Sequence, residues 1–576
     1  MRDTRRSYKV AILGGGMGGL ACAHELAREG VEVTVYEAGH AIGGKARSHY
    51  LPGTGTHGRR DLPGEHGFRF YPGFYRHVIA TMDEIADPES PSGAVSGNLA
   101  SAHEAGVALP GAGVVVSPRR AHSLADLRRL ADGLARSGGD LPALLRYLAA
   151  HLKYLTACDA RRDGEIEASS WAAFIGADRP GRYPEAFRQV LLACTRTMVA
   201  MDAERGSART VGQASSMLLL DAFGRGPVDR TMMGPTSECW LDPWQAHLER
   251  AGVRFHFGAR VDGLELGGRR ITRAFARHGD GRRTAIDADA YVLAVPLEVA
   301  HRLITPALAD ADRELANIRR CDLDTSTSWM TGAQFFLRED VPLCAGHLFL
   351  PESPWSLTAI SQAQFWDRGQ RGMSRYGDGR LRGILSVDIS SCFTRDADGV
   401  RLVDETSRPG VLRRVRDQLL AALDAPTRTL LARSIYAAKL DDELQVGPCG
   451  VHNAARLLVH PPGSRALRPA ADTSLANLHI AADYVQTSMD LASMEGANEA
   501  GRRAARGLLT RAGLDATRVQ LFAYDELDRF PLLRRLDAWL HARGLPHLHD
   551  LLADPTRRHP RALAPAPHTT PIPAAA

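Results

Sequence analysis

The sequence predicts an α/β fold in two unequal parts. One is a discontinuous Rossmann-like, dinucleotide-binding domain. The other is an α+β substrate domain of antiparallel sheet and helices. Three observations lead there. A glycine-rich turn joins an apolar strand to a helix near the N-terminus. A second acidic and glycine-bearing stretch lies near residues 483–498. Between them, a leucine-patterned helical block precedes short strand-like runs broken by Pro and Gly.

The first element is Tyr8 to Leu13, an apolar run that reads as a buried strand. Gly14-x-Gly16-x-x-Gly19 follows, then a helical pattern from Leu20 to Arg28 closed by Gly30. Val31 to Tyr36 alternates as a second strand and ends in Glu37. Strand, glycine turn, helix, strand and acid come in the order of a dinucleotide-binding βαβ unit. Gly14 permits the tight turn, Gly16 lets backbone approach a pyrophosphate, and Gly19 lets helix and strand pack closely. The helix N-terminus offers free N–H groups to the phosphates. Glu37 is placed to accept hydrogen bonds from ribose hydroxyls.

Which dinucleotide is bound follows from two further stretches. Gly43-Gly44-Lys45-Ala46-Arg47-Ser48 comes soon after Glu37. Ala481-Ala482-Asp483-Tyr484 and Met494-Glu495-Gly496-Ala497 lie far downstream. On these residues the chain resembles the superfamily of phytoene desaturases and flavin amine oxidases. The resemblance implies non-covalent FAD rather than NAD. It places FAD contacts at Gly14, Gly16, Met17, Gly18 and Gly19, at Glu37 and Ala38, and at Gly43, Gly44, Lys45, Ala46 and Arg47. Further contacts are implied at Gly67, Phe68, Val261, Ala294, Asp483, Met494, Glu495, Gly496 and Ala497.

Residues 62–77, LPGEHGFRFYPGFYRH, alternate glycine and proline with aromatics, arginines, histidines and a carboxylate. A core strand would not carry so many polar groups. The resemblance sets this segment beside the flavin ring, and Glu65, His66, Arg69 and Tyr71 are the candidate catalytic residues. An ordinary loop with satisfied polar groups is the competing reading.

Residues 86–118 are rich in Gly, Ala, Ser and Pro and read as connecting structure, which closes a first nucleotide segment at 1–118. From Ser123 to Leu155 leucines recur at helical spacing, from Leu124, Leu127 and Leu130 to Leu148 and Leu152. Residues 119–233 are therefore the helical part of the substrate domain. Their leucine faces are expected to be core, although a subset could rest on a membrane surface. Residues 234–310 return to the nucleotide domain through a helix at Trp240–Arg250 and strands at 252–257 and 288–296, the last closing the sheet edge.

Residues 311–455 supply the antiparallel sheet over the cofactor, with strands near 334–337, 347–350, 355–360 and 383–389. Aromatics Trp329, Phe335, Phe336, Phe349, Trp355, Phe365 and Trp366 cluster there, mostly as core, with a few lining an apolar tunnel. Residues 456–515 form the third nucleotide segment, in which strand 475–482 delivers Asp483 and a helix begins at Met494. Residues 516–576 add a C-terminal helix and a Pro- and Ala-rich tail expected to be disordered.

Composition narrows the function. The 576 residues are 44% hydrophobic and 24% charged, as in a globular protein, and the net charge of +5 makes no case for nucleic acid. No apolar run reaches about eighteen residues, so a spanning helix is not expected. Eight cysteines without a CxxC pair argue against a zinc site or disulfide framework, and no metal is expected. Arg5-Arg6 resembles an export signal, but cleavage there would destroy the glycine turn. A cytoplasmic protein, with peripheral membrane contact as an option, is expected. Oligomeric state and electron acceptor are left open.

The resemblance is closest to the bacterial carotenoid desaturase and hydroxysqualene dehydroxylase branch, on Glu65–Arg69 and Asp490–Glu499. It implies hydride transfer to flavin from a hydrophobic, isoprenoid-like small substrate. The alternative is an amine or amino-acid oxidase of secondary metabolism. Such enzymes commonly use a lysine on a substrate-domain strand, and here Lys439 is the one candidate, since no lysine falls between Lys153 and Lys439. A non-catalytic flavoprotein or lipid-binding scaffold is a third reading, opposed by the intact cofactor motifs.

Overall fold

The structure is a computed structural model and describes residues 8–67, 69–109, 113–199, 201–224, 226–366 and 372–553. The expectations for Phe68, for Arg5-Arg6 and for the tail beyond residue 553 lie outside the described residues.

Five parallel strands form the nucleotide sheet: β1 (Lys9–Leu13), β2 (Glu32–Tyr36), β3 (Arg254–His256), β4 (Ala290–Leu293) and β5 (Leu478–Ile480). Their spatial order is β5-β4-β1-β2-β3. Val10, Val33, Ile12, Val35, Val292, Leu293 and Ile480 are fully or nearly fully buried, as a parallel sheet covered on both faces demands. The sheet draws on chain positions more than 450 residues apart, so the domain is discontinuous. The strand at 290–293 does not close the sheet, as the sequence suggested. Tyr291, Val292 and Leu293 pair outward with Leu478, His479 and Ile480, and β5 takes the edge.

Helix α1 (Met17–Arg28) follows β1, and helix α2 (Met494–Ala512) follows β5. They cross at glycines. A Cβ on Gly501 would lie 2.3 Å from the Gly18 carbonyl oxygen and 2.8 Å from Ala21 Cβ. On Gly18 it would lie 2.1 Å from the Ala481 carbonyl oxygen. No side chain fits either place. Beside the crossing, buried Arg502 pairs with buried Glu25 at 2.9 Å, fixing the rotation of α2 against α1. Arg502 also donates to Asn498 and Thr81, so its charge is not left unmatched.

The substrate domain is built on a seven-stranded sheet. Its spatial order is Ile435–Leu440, Thr331–Leu337, Gly383–Ile389, Leu357–Ser361, Gly346–Phe349, Glu104–Leu109, Gly113–Pro118. All neighbours are antiparallel except Gly346–Phe349 with Glu104–Leu109. The last two strands correct the reading of 86–118 as connecting structure. Small residues there serve close packing: a Cβ on Gly106 would meet Leu348 Cδ1 at 2.9 Å.

Period-two alternation gives this sheet two different faces. Ala333, Phe335, Leu337, Leu348, Ala359, Leu385 and Val387 point into a core with Val411, Val415, Leu419 and Leu431 of the helices Arg408–Ala421 and Ala425–Ser434. Trp355 joins that core, while Phe336, Phe365 and Trp366 join a separate one with Ile360 and Ile384. His347, Phe349 and Asp388, on the opposite face, look into the main cavity. Of the aromatics expected in this region, Phe349 is the one that lines that cavity.

The leucine faces depart from expectation. Leu124 is 76% exposed, Leu127 53%, Leu141 63% and Leu145 56%. The helix Leu124–Arg136 meets the edge strand Gly113–Pro118 through Gly133, whose added Cβ would lie 2.4 Å from Ser117 Oγ. Leu124, Leu127 and Leu130 are left exposed, while Leu134 packs against the main core.

The helix Ala208–Phe223 carries a carboxylate in a poor setting. Burial, with Glu526 nearby, pushes the Asp221 carboxyl up to about 7. A folded value above the unfolded value of about 3.9 means the folded state binds the extra proton. Stability linked to Asp221 is complete below about pH 4 and is lost as pH rises through about 7. The unfolding midpoint of wild type should therefore fall between pH 5 and pH 8 relative to Asp221→Asn. Parallel pH profiles for the two proteins would contradict this placement.

Candidate active site

The βαβ turn is built as its glycines require. Gly14 has φ of +120°, and a Cβ there would meet the Ala294 carbonyl oxygen at 2.3 Å. A Cβ on Gly19 would meet the Gly14 carbonyl oxygen at 2.1 Å. Gly16 differs, because a Cβ there meets nothing within 4 Å and projects into open space. Gly16 is also the N-cap of α1, and no side chain caps that helix. Its first-turn N–H groups remain as donors beside the open space, with the positive end of the helix dipole behind them.

The acid after β2 reaches back to this turn. Glu37 Oε2 accepts from Gly15 N at 2.8 Å and Oε1 from Gly39 N at 2.7 Å. The second glycine pair is tied to the first by Gly43 N donating to Gly15 O at 2.8 Å. Gly43 and Gly44 both have positive φ. The turn they form carries Lys45 to the backbone carbonyl of Arg456, and Arg47 to Glu443 at 2.6 Å.

These elements line one cavity of about 920 Å³. Gly14, Gly16, Met17 and Gly18 reach it from the first turn, with Glu37 and Ala38 from the end of β2. Gly43, Gly44, Lys45, Ala46 and Arg47 reach it from the second turn, and Val261 and Ala294 from the middle of the chain. Asp483, Met494 and Ala497 complete it from the C-terminal segment. Burial raises the Asp483 carboxyl, with Lys45 opposing. Ser493 caps α2 by accepting from Gly496 N at 3.1 Å and itself lines the cavity.

Other expected residues are placed elsewhere. Gly19 packs inside the turn, and Gly496 packs against the Leu491 carbonyl oxygen. Glu495 turns away from the cavity and is fully buried. It accepts from the backbone N–H groups of Arg76, His77 and Val78 at 2.8–2.9 Å, capping the helix His77–Asp83, and from Tyr524 Oη at 2.8 Å. Gly67 abuts the cavity residue Asp388, 2.8 Å from where its Cβ would be.

The four catalytic candidates divide into two pairs. His66 and Arg69 line the cavity. Glu65 and Tyr71 lie behind its wall. Glu65 accepts from Ser48 Oγ at 2.7 Å and Thr236 N at 2.9 Å, and pairs with Arg69 at 3.3 Å. Tyr71 is buried among Tyr75 and Trp240.

His66 has a partner that sequence reading did not single out. Its Nδ1 lies 2.5 Å from Asp441 Oδ2, and both side chains are buried. Asp441 also accepts from Thr331 Oγ1 at 3.3 Å and Glu443 N at 3.2 Å. Burial alone would raise the Asp441 carboxyl, but the adjoining His66 and the hydrogen bond from Glu443 N hold it below the ordinary value. His49, also lining the cavity, is pushed down to about 4 by burial, and stays neutral at neutral pH. Lys439 is absent from the cavity wall; its Nζ pairs with Asp442 at 2.7 Å. No cluster of three or more metal-ligating side chains occurs among the described residues.

The shape fits a dinucleotide with an appended ring system. A helix N-terminus without a cap, a glycine cradle open to the cavity and an acid at the β2 end suit the pyrophosphate and ribose. A family model described as "Flavin containing amine oxidoreductase" matches residues 17–509. Zeta-carotene desaturase of Synechocystis sp. is 23% identical over 535 residues, covering 87% of this chain and 97% of that protein. Hydroxyneurosporene desaturase of Rhodobacter capsulatus is 53% identical over 49 residues, 8% of this chain and 10% of that protein. Among solved structures, putrescine oxidase bound to putrescine superposes with a TM-score of 0.57 at 15% identity, over 88% of this chain and 99% of that one. Cyclohexylamine oxidase from Brevibacterium oxydans gives 0.57 at 14% identity, over 88% and 100%.

The open space at Gly16 makes a specific prediction. Gly16→Val should fold normally, since a Cβ there meets no protein atom within 4 Å, yet fill the pyrophosphate position. The purified variant should show wild-type circular dichroism and at least about a tenfold lower flavin-to-protein absorbance ratio. Full flavin content in a folded variant would contradict the assignment.

Proposed function

The chain belongs to the family of flavin containing amine oxidoreductases, and from that premise we propose that it desaturates a hydrophobic, isoprenoid-like substrate by dehydrogenation. It is an FAD-dependent oxidoreductase. Bound FAD supplies a hydride acceptor at N5. What the chain adds is a place for the substrate, a water-poor enclosure and a destination for the proton.

The observation that carries the reading is the His66–Asp441 pair on a wall of the cavity. Removing two hydrogens from adjacent carbons releases a hydride and a proton. His66 can take that proton at Nε2, because Asp441 engages Nδ1 and so fixes the ring tautomer and orientation. The Asp441 carboxylate then stabilises the imidazolium, as an oriented acid does in other histidine-based proton transfers. Apolar side chains complete the enclosure: Ala214 and Leu218 from the helix Ala208–Phe223, and Met330 and Phe349 from the sheet domain. The two desaturase relatives support an unsaturated hydrocarbon skeleton as the substrate class.

One observation favours an amine instead. Asp388 puts a carboxylate on the cavity wall, where an ammonium group could approach it. Against this, Lys439 is held by Asp442 away from the wall. The lysine on the wall is Lys45, which belongs to the second glycine turn.

Anaerobic mixing with a polyene panel and an amine panel tests both readings. Polyenes should bleach the flavin of wild type. His66→Gln should retain its flavin and bleach about 10²–10⁴ times more slowly. Asp441→Asn should slow bleaching in the same direction. Bleaching by amines alone, or an unchanged rate in His66→Gln, would overturn the proposal.

A further inference from the structure

A second buried charge pair sits in the same cavity and plays no part in proton removal. Asp229, fully buried, precedes the short strand Arg230–Met232. Its Oδ2 is 2.7 Å from His347 Nδ1 and 3.0 Å from Arg119 Nη2. Asp229 is held in place by Ala102 N, which donates to its backbone carbonyl at 2.9 Å. Arg119 and His347 both line the cavity, whereas Asp229 stands behind them. Around the two is an aromatic sleeve. Phe70 meets the His347 ring edge-on with centroids 5.4 Å apart, and the Arg119 guanidinium lies 6.0 Å from the centre of the Phe349 ring. An apolar slot that only had to hold a hydrocarbon would not need a charged Arg–Asp–His group on its wall, because taking such charges out of water is costly unless they are paired.

We propose that Arg119 and His347, bridged by Asp229, form an oxygen-recognition end of the substrate cavity. The ligand class is an otherwise apolar molecule carrying a hydroxyl or carbonyl oxygen. Asp229 fixes the Nδ1–H of His347, which leaves Nε2 as the acceptor for a hydroxyl proton, and Arg119 donates to the oxygen. A carboxylate suits the site poorly. Asp229 already balances Arg119, and Asp388 adds a carboxylate to the cavity wall. An ammonium group would meet the Arg119 guanidinium.

This inference rests on the desaturase reading, but its test is read by binding. The flavin-loaded protein is titrated with farnesol and with the matching hydrocarbon that lacks the hydroxyl, following the flavin absorbance. Wild type should bind the alcohol at least about tenfold more tightly. Arg119→Met and His347→Leu should each bring the ratio to within about threefold of unity. Arg119→Met, at the less buried member, keeps the test usable if the histidine variant misfolds. Equal affinities in wild type, or an undiminished preference in a folded variant, would overturn it. A preference for the alcohol without bleaching by any polyene would refute the desaturase reading and leave this site standing.

A different observation carries a second inference. Of thirteen exposed large hydrophobic residues among the described residues, twelve lie in the helical block and the C-terminal helices, and Leu514 is the exception. They form stripes at helical spacing: Leu124, Leu127 and Leu130; Leu141, Leu145 and Leu152; Leu532, Leu536 and Trp539. The helices belong together, for Lys153 beside Leu152 pairs with Asp550 near Leu552 at 2.9 Å. Arg120, just before Leu124, donates to the Ala222 carbonyl beside exposed Phe223. The helix that ends at Phe223 brings Ala214 and Leu218 to the cavity wall. Arg128, Arg136, Arg146 and Arg535 are exposed on the same helices, against Asp132 and Asp140.

We infer that this face rests on an anionic lipid surface, with leucines and Trp539 at the acyl boundary and arginines at the headgroups. Flavin-loaded protein should pellet with sucrose-filled vesicles of phosphatidylcholine and phosphatidylglycerol, and less with phosphatidylcholine alone. Replacing Leu124, Leu127 and Leu130 together by Ser should weaken that partition at least about tenfold, since each loses buried apolar area in the interface. Protein that stays in the supernatant with every vesicle would overturn the inference. So would a triple variant that partitions like wild type and differs from it only in a concentration-dependent mass, which would assign the face to a second copy of the chain.

Discussion

The constraint on which this structure depends is the close crossing of α1 and α2 at glycine. Gly501 approaches the Gly18 carbonyl so nearly that a methyl group would sit 2.3 Å from the oxygen. Only that approach lets the turn after β1 and the start of α2, more than 450 residues apart, share one cavity. The buried Arg502–Glu25 pair then fixes rotation about the contact. A pair of this kind is weak as a source of stability, yet it specifies one geometry among several. The two helix N-termini consequently have different tasks. That of α1 is uncapped beside the open cradle at Gly16, whereas that of α2 is capped by Ser493.

Around this frame the second domain acts as a lid with two faces. Alternation sends Leu348, Ala359 and Val387 into a core of their own and turns His347, Phe349 and Asp388 toward the cavity. The 62–77 stretch is also divided between wall and support. His66 and Arg69 face the cavity, while Glu65 holds Ser48, Thr236 and Arg69 from behind. The wall therefore has inner groups that can meet a substrate and outer groups that keep them in place. His66 with Asp441, and His347 with Asp229, repeat one device: a histidine on the wall oriented by a buried carboxylate.

How much of this was legible in the sequence follows from physics. The glycine turn, the acid at 37 and the strand before Asp483 could be read, because each is local and its spacing is dictated by backbone sterics. The sheet strands from 331 to 389 could be read as short runs separated by Pro and Gly. Residues 104–118 could not, since small residues that serve close packing look like those of a loop. The direction of Glu495 was hidden too. Its neighbours Met494 and Ala497 face the cavity, but one helical step turns its carboxylate onto the backbone of 76–78. Asp229, Asp388 and Asp441 carried no motif, and only the fold brings them to Arg119, Gly67 and His66. The leucine stripes gave a clear periodicity, but periodicity says which residues share a face and not what covers it.

The most direct test of the account is a crystal structure of the flavin-loaded protein, read for the position of the FAD. The account predicts its pyrophosphate at the N-terminus of α1 beside Gly16, its ribose at Glu37, and its ring between Met494 and the wall that carries His66. A cofactor seated outside the cavity shared by α1 and α2, or one whose ring lies away from that wall, would contradict it.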